Sequence, residues 1–432
     1  MKNVGLISLG CAKNRVDSEE VLSYFVRNGY NLVSDQKLAD IIVVNTCGFI
    51  EAAKKEALDT IFQTLELKKI TIVIGCLVER YYDQLVKEIP EVDLFVKLED
   101  YPRFGELLAP ILKNDKLEGN IEKDKRILTT GSQQAYLQIS DGCNNFCSFC
   151  AIPYIRGRFH SFPLDLIKKE IKDLAETGVK EIIIISQNTS VYGQDLPGNI
   201  TICDILKETL KYDTFKFIRL LYLYPNEITD EFIQLYKDNP RLTPYFDVPI
   251  QHANDRLLKY MRRHGDKACL TEVFNKLRTV PNAIIRTTLI VGFPSETDAD
   301  IEELKQFIIE HKFDHLGVFT YSPEEGTEGY KFPDRISPKV QKERRSTIMK
   351  TQAAISFKLN QARLDTTMDV VITGYDESSY AYSGICDLYA PDDIDGRIFV
   401  FSGKRELEIG EMVKVKVVNA GAYDIDAEVI SK

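Results

Sequence analysis

The chain lacks the features that would send it to a membrane, an export route or a disulfide-stapled fold. In 432 residues there is no run of eighteen apolar side chains, so no transmembrane helix is expected. The opening MKNVGLISLGCAKN has neither the apolar stretch nor the cleavage site of a signal peptide and reads as a strand entering a loop. Nine cysteines are too few, and odd in number, to frame so long a chain with disulfides. The expectation is a cytoplasmic protein whose thiols are core residues, metal ligands or catalysts. Only five histidines are present, and no Cys–His nucleophile pair or metalloprotease spacing stands out. TLIVGFPSET (288–297) has one glycine and is no Walker loop. Internal repeats and low-complexity tracts are absent. Acidic side chains outnumber Lys and Arg by 65 to 55, a net charge of −10, which removes the simple electrostatic argument for nucleic acid.

What is present is a chain able to build ordinary cores, 44% hydrophobic and 28% charged, long enough for about three domains. NVGLISLG (3–10), DIIVVNT (40–46) and ITIVIG (70–75) are continuous β-rich runs, as buried parallel strands should be. Helical stretches at 17–29 and 51–69 separate them, with Asp17 and Ser18 as plausible caps. This predicts an N-terminal α/β parallel-sheet domain over 1–118. The charged, irregular stretch 112–134 reads as a linker, assigned to 119–134. From 135 to 364 six further β runs (135–140, 181–187, 217–223, 245–251, 283–293, 315–322) alternate with helices and end in a long polar helix, 337–364. Six βα units predict a partial (β/α)6 barrel with its site at the C-terminal strand ends. Residues 365–432 show strand alternation with Gly- and Asp-rich turns, which predicts a small antiparallel β-barrel of OB-like shape.

Cysteine carries the chemical signal. Cys143, Cys147 and Cys150 form a C-x3-C-x2-C cluster just after the first barrel strand. Three close thiolates there suit a soft metal centre, iron–sulfur or zinc. Zinc normally takes a fourth ligand, and the nearest histidine, His160, has no ligand-like spacing. Cys11, Cys47 and Cys76 each directly follow a predicted parallel strand (SLGC, VVNTC, VIGC). Open α/β sheets place ligand sites outside the carboxyl ends of their strands, so these three should converge on one edge. The alternative is three buried core thiols. Cys203, Cys269 and Cys386 have no partner spacing and read as packed small hydrophobes.

The C-x3-C-x2-C spacing at the top of a partial barrel resembles the radical S-adenosylmethionine (SAM) enzymes. That resemblance implies a 4Fe-4S cluster on Cys143, Cys147 and Cys150 with one iron open to SAM. It places Phe149 against the adenine, Ser186 and Gln187 near the methionine end, and Arg286 and Thr287 near the carboxylate or ribose. Core packing is the bland reading of the last four. Two cysteine triads followed by a small β-domain look like the methylthiotransferases over essentially the whole chain. Membership implies an auxiliary 4Fe-4S cluster on Cys11, Cys47 and Cys76, a radical SAM barrel, a C-terminal TRAM domain, two SAM molecules and an external electron donor. Methylthio transfer to an unactivated carbon is the implied reaction.

One branch of that family modifies a tRNA adenosine, the other the β-carbon of an aspartate in small-subunit ribosomal protein twelve. SLGCAKNRVDSE (8–19), GCNNFCSFCAIPYIRGRFHS (142–161) and the Gln251–His252 pair in PIQHANDRLLKYMRR (249–263) look like the ribosomal-protein branch. The Gln-Met-Asn wording of the tRNA branch is absent after Cys11. Residues 366–432 carry thirteen acids against six Lys or Arg, a net −7 that repels RNA and suits a basic protein partner. A merely solvated acidic surface gives the same count. Arg156, Arg158, Arg262 and Arg263 are candidates for holding SAM's carboxylate or steering the substrate aspartate, or for pairing with acids such as Asp247 and Glu296; His252 either helps hold the substrate or only bonds locally. The expected partner is the ribosomal protein, alone or within the ribosome. No direct tRNA substrate and no membrane are expected, and a monomer is the default. The same enzyme acting on tRNA, and a non-catalytic iron–sulfur module that docks on ribosomes, are the competing readings.

Overall fold

The computed structural model describes residues 2–113 and 116–430. Asn114 and Asp115, inside the stretch read as a linker, lie outside the described residues, as do Met1, Ser431 and Lys432. The chain forms two compact units. The first takes the chain up to Thr129 together with Ser140–Phe162 and Ser322–Tyr330; the second takes Thr130–Ile139, Pro163–Tyr321 and the chain from Lys331 on.

In the first unit, β1 (Asn3–Ser8), β2 (Asn31–Val33), β3 (Ile41–Thr46), β4 (Ile70–Gly75) and β5 (Leu94–Val96) form a parallel sheet in the order β2-β1-β3-β4-β5. All six residues of the central β3 are buried, which explains its unbroken apolar reading. Apolar layers cover both faces, one around Tyr24, Phe25, Ile72 and Phe104, the other around Ile42, Val44, Ile61 and Phe95. The three-residue β2 and β5 are too short to leave a period in the sequence. Helices α1 (Ala12–Arg27), α2 (Glu51–Leu65) and α3 (Cys76–Glu88) follow β1, β3 and β4. The predicted start of the first helix is corrected by five residues. Asp17 and Ser18 are no caps; they sit buried in its second turn, where they serve the cysteine site below. A short hairpin, β7 (Ser140–Asp141) with β8 (His160–Ser161), carries the C-x3-C-x2-C loop in this same unit.

In the second unit, β6 (Gln134–Gln138), β9 (Glu181–Ile185), β10 (Phe217–Leu220), β11 (Leu242–Asp247), β12 (Ile284–Val291) and β13 (His315–Thr320) pair in chain order into an open six-stranded sheet. Every pairing is parallel, which makes the partial (β/α)6 barrel. The helix Pro338–Gln361, capped by Ser337, leads to the last domain. There β14 (Thr367–Asp376), β15 (Ala381–Ile385), β16 (Ile398–Phe401), β17 (Met412–Ala420) and β18 (Ile425–Val429) close a barrel. Four of its seams are antiparallel and one, β16 with β18, is parallel. An odd number of strands cannot alternate direction all the way round, so one parallel seam is a geometric necessity.

Buried polar groups join the two barrels. Arg219 donates to Glu181 at 2.7 Å and to the Cys386 carbonyl at 2.7 Å with no exposure of its side chain. His315 Nε2 lies 2.7 Å from the Leu388 carbonyl, and Tyr245 bonds Asp395. Among the described residues no helix is long and apolar enough to cross a membrane.

Candidate functional site

Register brings the dispersed cysteines together. β1, β3 and β4 are neighbours, with Ser8 opposite Asn45 and Thr46 opposite Gly75, so Cys11, Cys47 and Cys76 emerge at one sheet edge. Glycines permit the crowding. Gly10 (φ +94°) has Cys47 where its Cβ would be, at 2.9 Å, and Gly75 (φ +96°) has Asn45 Oδ1 at 2.2 Å.

Asn14, in the first turn of α1, stands at the centre. Its Oδ1 lies 3.8 Å from Cys11 Sγ and 3.6 Å from Cys76 Sγ. Its Nδ2 donates to the carbonyls of Leu9 (3.1 Å) and Thr46 (3.0 Å), which ties the ends of β1 and β3 to one amide. Asn45 returns a bond to the Asn14 carbonyl at 2.8 Å and another to Ser18 Oγ at 2.9 Å. Arg156, 2% exposed in its side chain, donates from Nη2 to Asp17 (2.6 Å), Asn14 (3.0 Å) and Cys76 Sγ (3.6 Å), and from Nη1 to Asp141 (3.2 Å). Lys13 is buried beside the thiols. Burial pushes the Cys76 thiol up to about 12 and raises that of Cys47. Such thiols stay protonated until a soft metal displaces the proton.

The second triad occupies the loop between β7 and β8. The Cys143 N–H donates to the Gly157 carbonyl at 3.2 Å and the Cys150 N–H to the Cys147 carbonyl at 3.0 Å. All three thiols are partly exposed, as is Phe149 between them, and buried Ser148 accepts from the Gly329 N–H at 2.7 Å. Among the described residues no three His, Cys, Asp or Glu side chains are grouped to hold a single metal ion. His160 is exposed, with Nδ1 turned to the Arg158 carbonyl. Three partly exposed thiols on one short loop are a donor set that would suit an iron–sulfur cluster.

Other candidate residues fall differently. Arg158 is exposed, with its guanidinium 4.3 Å from the Phe146 ring centre. Ser186 and Gln187 directly follow β9, at the C-terminal end of that barrel strand; Ser186 is buried and accepts from the Asn188 N–H. Thr287 is buried and donates to the Val248 carbonyl. Arg286 is directed instead to Asp247 at 2.8 Å and Asp395 at 3.0 Å, joining the two barrels of its unit. His252 is fully buried, its Nδ1 accepting from the Ala253 and Asn254 N–H groups and its Nε2 facing Glu296 at 3.7 Å, which leaves no surface for a substrate. Arg263 lies over Tyr224 and donates to the Pro249 carbonyl.

Sequence reasoning missed Lys13, Asn14, Asp17 and Glu324 as parts of this region. The signal for the first three was a polar face, at spacings of three and four, at the very start of a helix that follows a strand-end cysteine.

Residues 3–97 match the uncharacterized protein family UPF0004, 137–308 the radical SAM superfamily, and 366–430 the TRAM domain. The ribosomal protein uS12 methylthiotransferase RimO of Geotalea uraniireducens (strain Rf4) is 43% identical over 444 residues, covering 99% of this chain and 98% of that protein. The protein of the same name from Aquifex aeolicus (strain VF5) is 45% identical over 424 residues, covering 98% and 96%. Among solved structures, the radical SAM methyltransferase TsrM from Kitasatospora setae shares the fold, with a TM-score of 0.59 at 12% identity over 82% of this chain and 89% of that one. Identity of 43–45% across nearly the full length, on a chain with all three of these segments, means that it belongs to the RimO family of radical SAM methylthiotransferases.

Proposed function

We propose that this enzyme places a methylthio group on the β-carbon of an aspartate in small-subunit ribosomal protein uS12, using two SAM molecules and two 4Fe-4S clusters. The observation that carries the reading is the gathering of Cys11, Cys47 and Cys76 at one sheet edge, in the same compact unit as the Cys143–Cys147–Cys150 loop. A single-cluster radical enzyme has no use for the first triad. When bound, the clusters and SAM would relay electrons from an external donor and supply the hydrogen abstraction and the methylthio group.

This chain's residues hold and shelter that chemistry. Cys143, Cys147 and Cys150 would hold one cluster and leave an iron for SAM, with Phe149 on the same loop. Cys11, Cys47 and Cys76 hold the other, with Asn14 bracing two of the three. The auxiliary site is assigned to a domain over 1–118, joined by 119–134 to the radical SAM barrel over 135–364 and the TRAM domain over 365–432. Exposed Arg158 is available to the carboxylate of the incoming aspartate. The acidic C-terminal segment favours a basic protein over tRNA. The RimO names of the relatives supply uS12 as that protein, and a ribosomal substrate implies a cytoplasmic setting and an external electron donor.

The test is anaerobic reconstitution, reduction and incubation with SAM and either uS12 or tRNA, read by mass spectrometry. A methylthio increment on an aspartate of uS12 is expected. An increment on tRNA, or on neither, overturns the substrate assignment.

A further inference from the structure

We propose that Arg156 is a positioning residue that sets the reduction potential of the Cys11–Cys47–Cys76 cluster by donating an N–H···S hydrogen bond to Cys76. The inference rests on reading that triad as a cluster site.

Three observations carry it. The first is aim: Arg156 Nη2 lies 3.6 Å from Cys76 Sγ, inside the longer range of bonds to sulfur. The second is fixation. Asp17, on α1, and Asp141, on β7, grip the guanidinium at 2.6 and 3.2 Å, and Asn14 takes a further bond at 3.0 Å, so the planar fork cannot swing away from the sulfur. The third is seclusion. Arg156, Asp17 and Cys76 are all buried, and Cys76 packs on Ala151 and Ile155. With its side chain only 2% exposed, the guanidinium is largely withdrawn from solvent.

An ordinary structural ion pair would be complete with the two carboxylates. Here one nitrogen is shared between a carboxylate, an amide and a thiol that the cluster would claim. Hydrogen bonds to cluster sulfur and nearby positive charge favour the reduced state, and outer partners of this kind tune metal sites generally. Arginine stays charged at all working pH, so the bias is constant.

The placement in the chain adds a consequence. Asp141 lies two residues before Cys143, and Arg156 six residues after Cys150. One flank of the segment that carries this triad thus supplies the partner of Cys76, and the other flank supplies a carboxylate that holds that partner. A displacement of that loop would alter the hydrogen bond at the other cluster.

The experiment uses the full chain carrying Cys143→Ala, Cys147→Ala and Cys150→Ala, so that only the N-terminal site can load. Iron is counted, and the midpoint potential is followed by electron paramagnetic resonance during reductive titration. Arg156→Gln should shift the potential to a more negative value. Asp17→Asn keeps the acceptor but removes an anion near Cys76, and should shift it to a more positive value. Opposite signs support the proposal, because general loosening would move both variants the same way. Where Arg156→Gln fails to fold, Arg156→Lys keeps the charge without the fork and should give a smaller negative shift. An unmoved potential in Arg156→Lys, or shifts of one sign in Arg156→Gln and Asp17→Asn, overturns the proposal. About four irons with an unmoved potential reject the role of Arg156 alone. No iron in the parent background rejects the cluster itself.

Discussion

The carboxylate of Glu324 stands 2.9 Å from the guanidinium of Arg80, which lies 244 residues earlier in the chain. Lys54 approaches the same carboxylate at 3.3 Å and the Glu51 N–H donates to it at 3.1 Å. Five residues on, the Gly329 N–H bonds the Ser148 carbonyl inside the cysteine loop. One buried acid thus anchors the Ser322–Tyr330 segment between α2, α3 and the C-x3-C-x2-C loop.

Replacing Glu324 by Ala leaves Arg80 and Lys54 facing each other with little exposure. The expected loss is about 3–5 kcal/mol. Urea unfolding followed by circular dichroism will read it, since the chain has no tryptophan to report by fluorescence.

Arg219 and Glu181 form a pair with almost no exposure where the two barrels of the second unit meet. Arg219→Met should destabilise by about 3–5 kcal/mol, because it strands a buried carboxylate. Adding Glu181→Leu should recover much of that loss, since the stranded charge goes with it. Thermal unfolding of the single and double variants distinguishes a stranded charge from lost packing.

Burial, opposed by the Gly292 N–H and Arg344, pushes the Glu296 carboxyl up to about 7, and burial holds the facing His252 down to about 4. A raised carboxyl contributes stability that is complete below its unfolded value of 4.5 and lost as pH climbs through about 7. His252 works in the other direction: its contribution is complete above 6.5 and lost as pH falls through about 4. In Glu296→Gln only the first dependence disappears. Relative to the parent, this variant should gain about 3 kcal/mol between about pH 5 and about pH 8. Urea midpoints at the two pH values give the comparison.

Binding of the full-length enzyme to uS12 should weaken as salt rises, because an acidic protein and a basic one attract through screened charge. The reverse pattern, a steeply salt-dependent affinity for tRNA, would show a basic face that the net charge of 366–432 does not suggest.

Buried parallel strands announce themselves as unbroken β-branched runs, so β1, β3 and β4 were legible, and with them the cysteine that follows each. The surroundings of those cysteines were not. Lys13, Asn14, Asp17, Ser18, Glu19 and Glu20 form a polar run that reads as solvent-facing, yet all six are buried. The cations that pair with its acids, Arg156 with Asp17 and Arg126 with Glu19, lie more than a hundred residues away. Arg286 and His252 were read from their places on or beside barrel strands, but direction along a strand does not reveal that Asp395 waits for one or that backbone N–H groups claim the other. Nothing in SPEEGTEGY marks it as belonging with the N-terminal sheet; that follows from Glu324 finding Arg80.

The interleaved first unit has a consequence for biosynthesis. Cys11, Cys47 and Cys76 are made early, but Glu324 emerges some 250 residues after Cys76, roughly 10–50 s later at usual elongation rates. Until then α2 and α3 lack their anchor and the loop with the other three thiols lacks its brace. A nascent chain therefore displays six uncoordinated thiols before their enclosure is complete. On the proposed reading of these six cysteines as cluster ligands, insertion belongs after translation has passed Tyr330, and reducing conditions must guard the thiols meanwhile.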